Sequence, residues 1–162
     1  MKGNPVRNLL IPILALAASL SLSPVVHAAD TPTAPQPSPK PKDPDLEAGR
    51  QAIQAQNWKV AIEDFDRAAV RDPKNADAQN LLGYSWRKSG NLDLAFKYYN
   101  EALRIDPDHR GAHEYIGEAY LMVNNLAKAE EHLGQLDKLC FLPCSEYSEL
   151  KKAVEKYKSS AK

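Results

Sequence analysis

The sequence predicts an all-α fold, a solenoid of three helix-turn-helix units closed by a C-terminal capping helix. Three observations carry that reading. Gly49, Gly83 and Gly117 stand 34 residues apart, and the same step relates Asn57, Asn91 and Asn125, and Ala61, Ala95 and Ala129. Apolar residues inside a unit fall at helical spacing, as in Leu81, Leu82 and Trp86, then Leu92, Leu94, Ala95, Tyr98, Tyr99, Ala102 and Leu103. After the repeats, Tyr147, Leu150, Val154 and Tyr157 form one apolar stripe among lysines and glutamates.

In chain order, the first element is an export signal. Lys2 and Arg7 precede an apolar run from Leu9 to Leu22, and small residues follow up to Ala29. This is the three-part pattern of a secretory leader, residues 1–28, with Val26 and Ala28 suiting cleavage after Ala28. Cleavage after Ala29 would set the bulky His27 three positions before the cut. The apolar run is shorter than the roughly 20 residues that a spanning helix needs, and it contains Pro12, so no stable membrane insertion is expected after cleavage. The expected location is the bacterial periplasm, with the remaining chain soluble. Removing Lys2 and Arg7 from 21 basic residues leaves 19 against 21 acidic ones, a balance that argues against nucleic acid as a partner.

Residues 29–44 (ADTPTAPQPSPKPKDP) contain six prolines and read as a flexible or semi-rigid linker, since proline donates no backbone hydrogen bond and favours extended polyproline II.

The repeats then occupy residues 45–159 with the cap, at about 45–75, 76–109 and 110–140, and the capping helix at about 145–159. Each repeated column has a physical reason. Gly83 and Ala95, with their counterparts, are small where two helices approach closely. Asn57, Asn91 and Asn125 stand at the turn, where asparagine tolerates left-handed backbone angles. Asp72-Pro73 and Asp106-Pro107 end the second helix of a unit, because proline lacks a donor N–H and biases the residue before it away from helix. Asn75, Asp77 and Asp108 lie where the next helix starts and short polar side chains cap open N–H groups. Phe65, Tyr99 and Leu133 form a further column, as do Ala68, Ala102 and Leu136. The last helix, with one wet face, suits the end of a solenoid.

This pattern closely resembles the tetratricopeptide repeat (TPR) family. The second unit matches it best, through Leu82, Gly83, Trp86, Ala95, Tyr99, Ala102 and Pro107, and the third supplies Ile116, Gly117, Tyr120, Ala129 and Leu133. The third departs at the final proline, where Phe141 stands, and the first has Ala48 and Ala52 where larger residues are usual, so its first helix is expected to be short or frayed. The resemblance implies a right-handed superhelix whose concave groove is lined by the first helix of each unit and binds another protein or an extended peptide segment. The groove positions it implies are Arg50; Asn80, Tyr84, Arg87 and Lys88; and Glu114, Glu118 and Leu121. The lysine and asparagine clamp that some members close on a C-terminal carboxylate is incomplete here, with Asn80 and Arg87 present but the lysines missing. The groove is expected to be basic and aromatic at one end and acidic at the other. A partner carrying both charges would suit it.

Cys140 and Cys144, the only cysteines, flank Phe141, Leu142 and Pro143. In an oxidising compartment such a pair reads as a disulfide staple at the junction with the capping helix, stabilising by only about 2 kcal/mol for so short a loop. A redox-active thiol pair and a metal clip completed by His132 are the other readings, and a metal site on His109 and His113, four residues apart, is also weighed. No catalytic motif is found, so the chain reads as a non-catalytic adaptor without a cofactor, with a metal or redox accessory role as the alternative. Weak self-association through an exposed first helix bearing Leu46 and Ile53 is a further expectation.

Overall fold

The computed structural model describes residues 43–142 and 144–160; the expected leader, the linker up to residue 42 and Pro143 lie outside the described residues. Within them seven helices follow in order: α1 (Pro44–Gln54), α2 (Trp58–Arg71), α3 (Ala76–Lys88), α4 (Leu92–Ile105), α5 (Arg110–Met122), α6 (Leu126–Leu139) and α7 (Ser145–Ser160). Each packs on its neighbours in sequence, and the odd-numbered helices α3, α5 and α7 also touch in series. That stacking of antiparallel pairs builds a superhelix with the odd-numbered helices along one face.

The helix boundaries correct three sequence expectations. Asn57, Asn91 and Asn125 have φ of −89°, −93° and −103°, and their side chains accept the N–H of Val60, Leu94 and Lys128. They are N-caps of the second helices, not left-handed turn residues. The left-handed angle falls one position earlier, at Gln56, Gly90 and Asn124, with φ of 55°, 93° and 58°. These residues end the first helix of each unit, and the asparagine oxygen is then available for an open N–H at the next start. Likewise His109, not Asp108, caps α5, its Nδ1 accepting from the Ala112 N–H at 3.1 Å. Helix α1 begins at Pro44, inside the stretch assigned to the linker, because Asp43 accepts from the Asp45 and Leu46 N–H groups and proline suits the first helical position.

Short α1 is tied down by charge as well as by packing. Arg71 of α2 reaches Asp43 at 2.7 Å and also pairs with Asp45, while Arg67 bridges Asp45 and Asp64. Beneath, Ala52, Ala61, Phe65 and Leu82 form one core cluster, and Ala95, Tyr99, Ile116 and Ala119 form the next.

The repeated glycine shows how the stack ends. A Cβ at Gly49 would stand 2.5 Å from Phe65, and one at Gly83 would stand 2.7 Å from Tyr99. At Gly117 the nearest atoms belong not to Leu133, the residue at the matching position, but to Leu150 of α7, at 2.6 Å. Leu150 is 0% and Val154 3% exposed, so α7 fills the space that an aromatic ring fills in the first two units. Cys140 and Cys144 face each other with their Cα atoms 5.8 Å apart, just before α7 starts. Between them Phe141 is fully exposed and Leu142 largely so.

Candidate peptide-binding groove

Helices α3 and α5 place Tyr84, Arg87, Lys88, Glu114, Glu118 and Leu121 along one groove of about 570 Å³, joined by Tyr115, Met122 and Ala153. Two expected groove residues stay outside it. Arg50 is exposed on α1, and Asn80 is 4% exposed, packed beside Gly111.

Arg87 is committed to the protein itself. Its Nη2 lies 2.7 Å from Glu118 Oε2, its Nε donates to the Tyr99 hydroxyl at 3.2 Å, and only 10% of its side chain is exposed. The guanidinium carbon sits 5.4 Å from the Tyr84 ring centre and 5.6 Å from that of Tyr115. Within the expected basic and acidic halves, Arg87 of one unit therefore neutralises Glu118 of the next, which leaves Lys88 and Glu114 to carry the two ends. The cation left facing the groove is Lys88, 5.8 Å from the ring centres of both Trp58 and Tyr84.

The aromatic shelf is larger than the sequence suggested. Trp58 meets Tyr84 edge-on at 6.2 Å, and Tyr84 meets Tyr115 at 4.9 Å. Trp58 and Tyr115 were missed, although a signal existed. Trp58 shares its column with Leu92 and Leu126, and Tyr115 shares its own with Leu81. An aromatic ring where the matching position of another unit holds leucine marks a position with a second use.

Glu114 stands out electrostatically. Burial first, then the nearby Glu118, Glu146 and Glu149, push its carboxyl up to about 7, against the pull of Arg87. No hydrogen bond or ion pair holds it among the described residues. Burial also pushes the Tyr115 hydroxyl up to about 12.

On the other side of α5, His113 Nδ1 lies 2.9 Å from His132 Nδ1, and His113 Nε2 lies 2.9 Å from the Pro107 carbonyl. A carbonyl only accepts, so neutral His113 carries its proton on Nε2 and His132 donates to it. Meanwhile His109 Nε2 meets Asp77 at 3.1 Å, which together with its capping role occupies both ring nitrogens. His109 and His113 thus do not share a ligand-bearing face, and His132 turns to His113 rather than to the cysteines. Among the described residues no group of three or more His, Cys, Asp or Glu side chains converges as for a metal ion.

Burial pulls His132 down to about 4, and His113 adds to this. Its sign opposes that of Glu114. Between about pH 4 and 6.5 the unfolded chain binds the histidine proton that the folded chain refuses, so this group makes stability fall as pH falls. Glu114 retains its proton when folded, so between about pH 4.5 and 7 it makes stability fall as pH rises. The two slopes oppose each other from about pH 4.5 to 6.5 and flatten the native profile. Urea unfolding from pH 5 to 8 should show Glu114→Gln more stable than the native chain above pH 7, by about 1 kcal/mol after discounting for solvent screening. His132→Gln should instead gain relative to the native chain at the acid end.

An aromatic, half-neutralised groove on a stack of antiparallel helix pairs marks a protein of the helical-repeat class. Two family models described as tetratricopeptide repeat match residues 46–110 and 86–153, and the chain belongs to that family. Human protein O-mannosyl-transferase TMTC3 is 31% identical over 75 residues, which is 46% of this chain and 8% of that protein. The chain thus spans under a tenth of that relative. Among solved structures, the TPR2B domain of yeast Sti1 in complex with pHsp70 superposes with a TM-score of 0.66 at 19% identity, covering 72% of this chain and 94% of that one. The Yersinia enterocolitica type III secretion chaperone SycD, in complex with a peptide of the translocator YopD, gives 0.62 at 20% identity over 73% and 92%. At such identities the likeness shows the fold.

Proposed function

We propose that this chain is a non-catalytic adaptor of the bacterial periplasm that binds a partner protein through an extended segment held in the α3–α5–α7 groove. The observation that carries this is the half-buried aromatic shelf of Trp58, Tyr84 and Tyr115 beside Lys88 and Glu114, for which no direct ion pair is found among the described residues. Aromatic shelves that a partner can cover are where a few side chains supply most of the energy of an interface. The similar folds of the Sti1 domain in complex with pHsp70 and of SycD in complex with a YopD peptide support the mode of binding. The leader-like first 28 residues support the compartment, and there the Cys140–Cys144 bond acts as a staple that sets how α7 docks.

The test is photo-crosslinking in cells, with benzoylphenylalanine placed at Leu121 in the groove and, separately, at exposed Val70 on α2. A defined adduct from Leu121 and none from Val70 is expected; the reverse result removes the groove as the docking face. Intact mass without reductant addresses the alternative accessory role. Loss of two protons and no added label after alkylation supports the staple, whereas two fast-labelling thiols or a bound metal mass moves the function to redox or metal handling.

A further inference from the structure

We infer that the partner segment places a lysine or arginine side chain against Glu114, over the Tyr115 ring. The inference rests on the groove reading above and names the chemistry that the groove selects.

The surroundings of Glu114 leave it short of positive charge on every side. From α3 comes Arg87, but its guanidinium already serves Glu118 and the Tyr99 hydroxyl. From α5 itself comes Glu118, and from α7 come Glu146 and Glu149. Helix α4 contributes Tyr99 beside Tyr115, with ring centres 6.4 Å apart, and α6 meets α5 through His132 and His113. A half-buried carboxyl with three acidic neighbours and one committed cation is pushed up to about 7, so only about half of it is ionised at neutral pH. An incoming ammonium or guanidinium supplies the missing counter-charge, and the adjoining tyrosine face attracts the same cation. Leu121, Met122 and Ala153 line the groove alongside, where the aliphatic stem of a lysine or arginine packs. An acidic partner residue would instead join four carboxyls, so a segment that turns a glutamate or aspartate toward α5 is rejected. Lys88, at the far end of the shelf, is the place for the partner's acidic residue if it carries one.

Binding of such a segment needs ionised Glu114. With a carboxyl titrating near pH 7, the competent fraction rises from about one tenth at pH 6 to about nine tenths at pH 8, so affinity should rise about tenfold over that interval.

The experiment pans a displayed library of random dodecapeptides at pH 8 against the purified chain. Peptides also retained by the Tyr84→Ala/Tyr115→Ala double variant are discarded. The expected result is enrichment of lysine and arginine next to apolar residues, lost when the same library is panned on Glu114→Gln. Synthetic copies of the enriched peptides should bind about tenfold more weakly at pH 6 by fluorescence anisotropy, with little pH dependence on Glu114→Gln. Groove-dependent peptides without basic enrichment, or with the same affinity at both pH values, overturn the inference and leave the groove reading standing. If no peptide depends on Tyr84 and Tyr115, the groove reading falls and takes the inference with it.

Discussion

Leu150→Ala lowers the unfolding free energy by about 3 kcal/mol, the figure for a leucine removed from a fully enclosed site. Leu150 is 0% exposed and lies against the bare backbone of Gly117, so the lost side chain leaves a gap that neither the glycine nor the small residues around it can fill. In a solenoid each unit is stabilised only by its neighbours, so the damage stays near the C-terminal end. Hydrogen exchange should therefore accelerate in α7 and α5 while α1 and α2 keep their protection. Helix α7 also brings Ala153 to the groove and Glu146 and Glu149 to the neighbourhood of Glu114, so a loosened cap loses the groove wall together with stability. Val70→Ala is the control, because Val70 is 73% exposed and its truncation should stay within about 0.5 kcal/mol. A loss under about 1 kcal/mol at Leu150 would mean that α7 is not docked as described.

Much of this scaffold was readable because its physics repeats every 34 residues. A glycine beneath an aromatic ring, an alanine between paired helices and an aspartate-proline stop each answer a local demand, and local demands print themselves at fixed spacing. What escaped the sequence were contacts between units. Gly117 meets Leu150 of α7 and not Leu133, the residue at the matching column, so the sequence showed that α7 caps the stack but not which side chain it sets against the glycine. Asn57, Asn91 and Asn125 were placed at the right turn in the wrong role, since an asparagine suits both a left-handed residue and an N-cap, and only φ separates the two. The groove was legible as a set of positions, six of which do line it, but not as a charge pattern. Arg87 and Glu118 read in sequence as separate surface charges, whereas they lie 2.7 Å apart across two units.

That pair sets the second large effect. Arg87→Met keeps most of the volume yet leaves the Tyr99 hydroxyl without its partner and Glu118 without its cation, which should cost about 2 kcal/mol. The loss is smaller than for a fully enclosed pair because 27% of the Glu118 side chain reaches solvent. It should also depend on pH. Glu114, already raised to about 7 by burial and acidic neighbours, loses the one nearby cation that lowers it, so in the variant it holds its proton to still higher pH. The variant therefore suffers more at pH 8, where the folded state must carry uncompensated carboxylates or retain protons against the solvent, than at pH 6. Denaturant unfolding of Arg87→Met at the two pH values measures this difference directly. Adding Glu118→Leu should recover most of the loss, because an apolar pair of similar size removes both charges together. If the double variant is as unstable as the single one, the role of Arg87 lies in its stacking between Tyr84 and Tyr115 rather than in charge, and the groove is organised by its aromatic shelf alone.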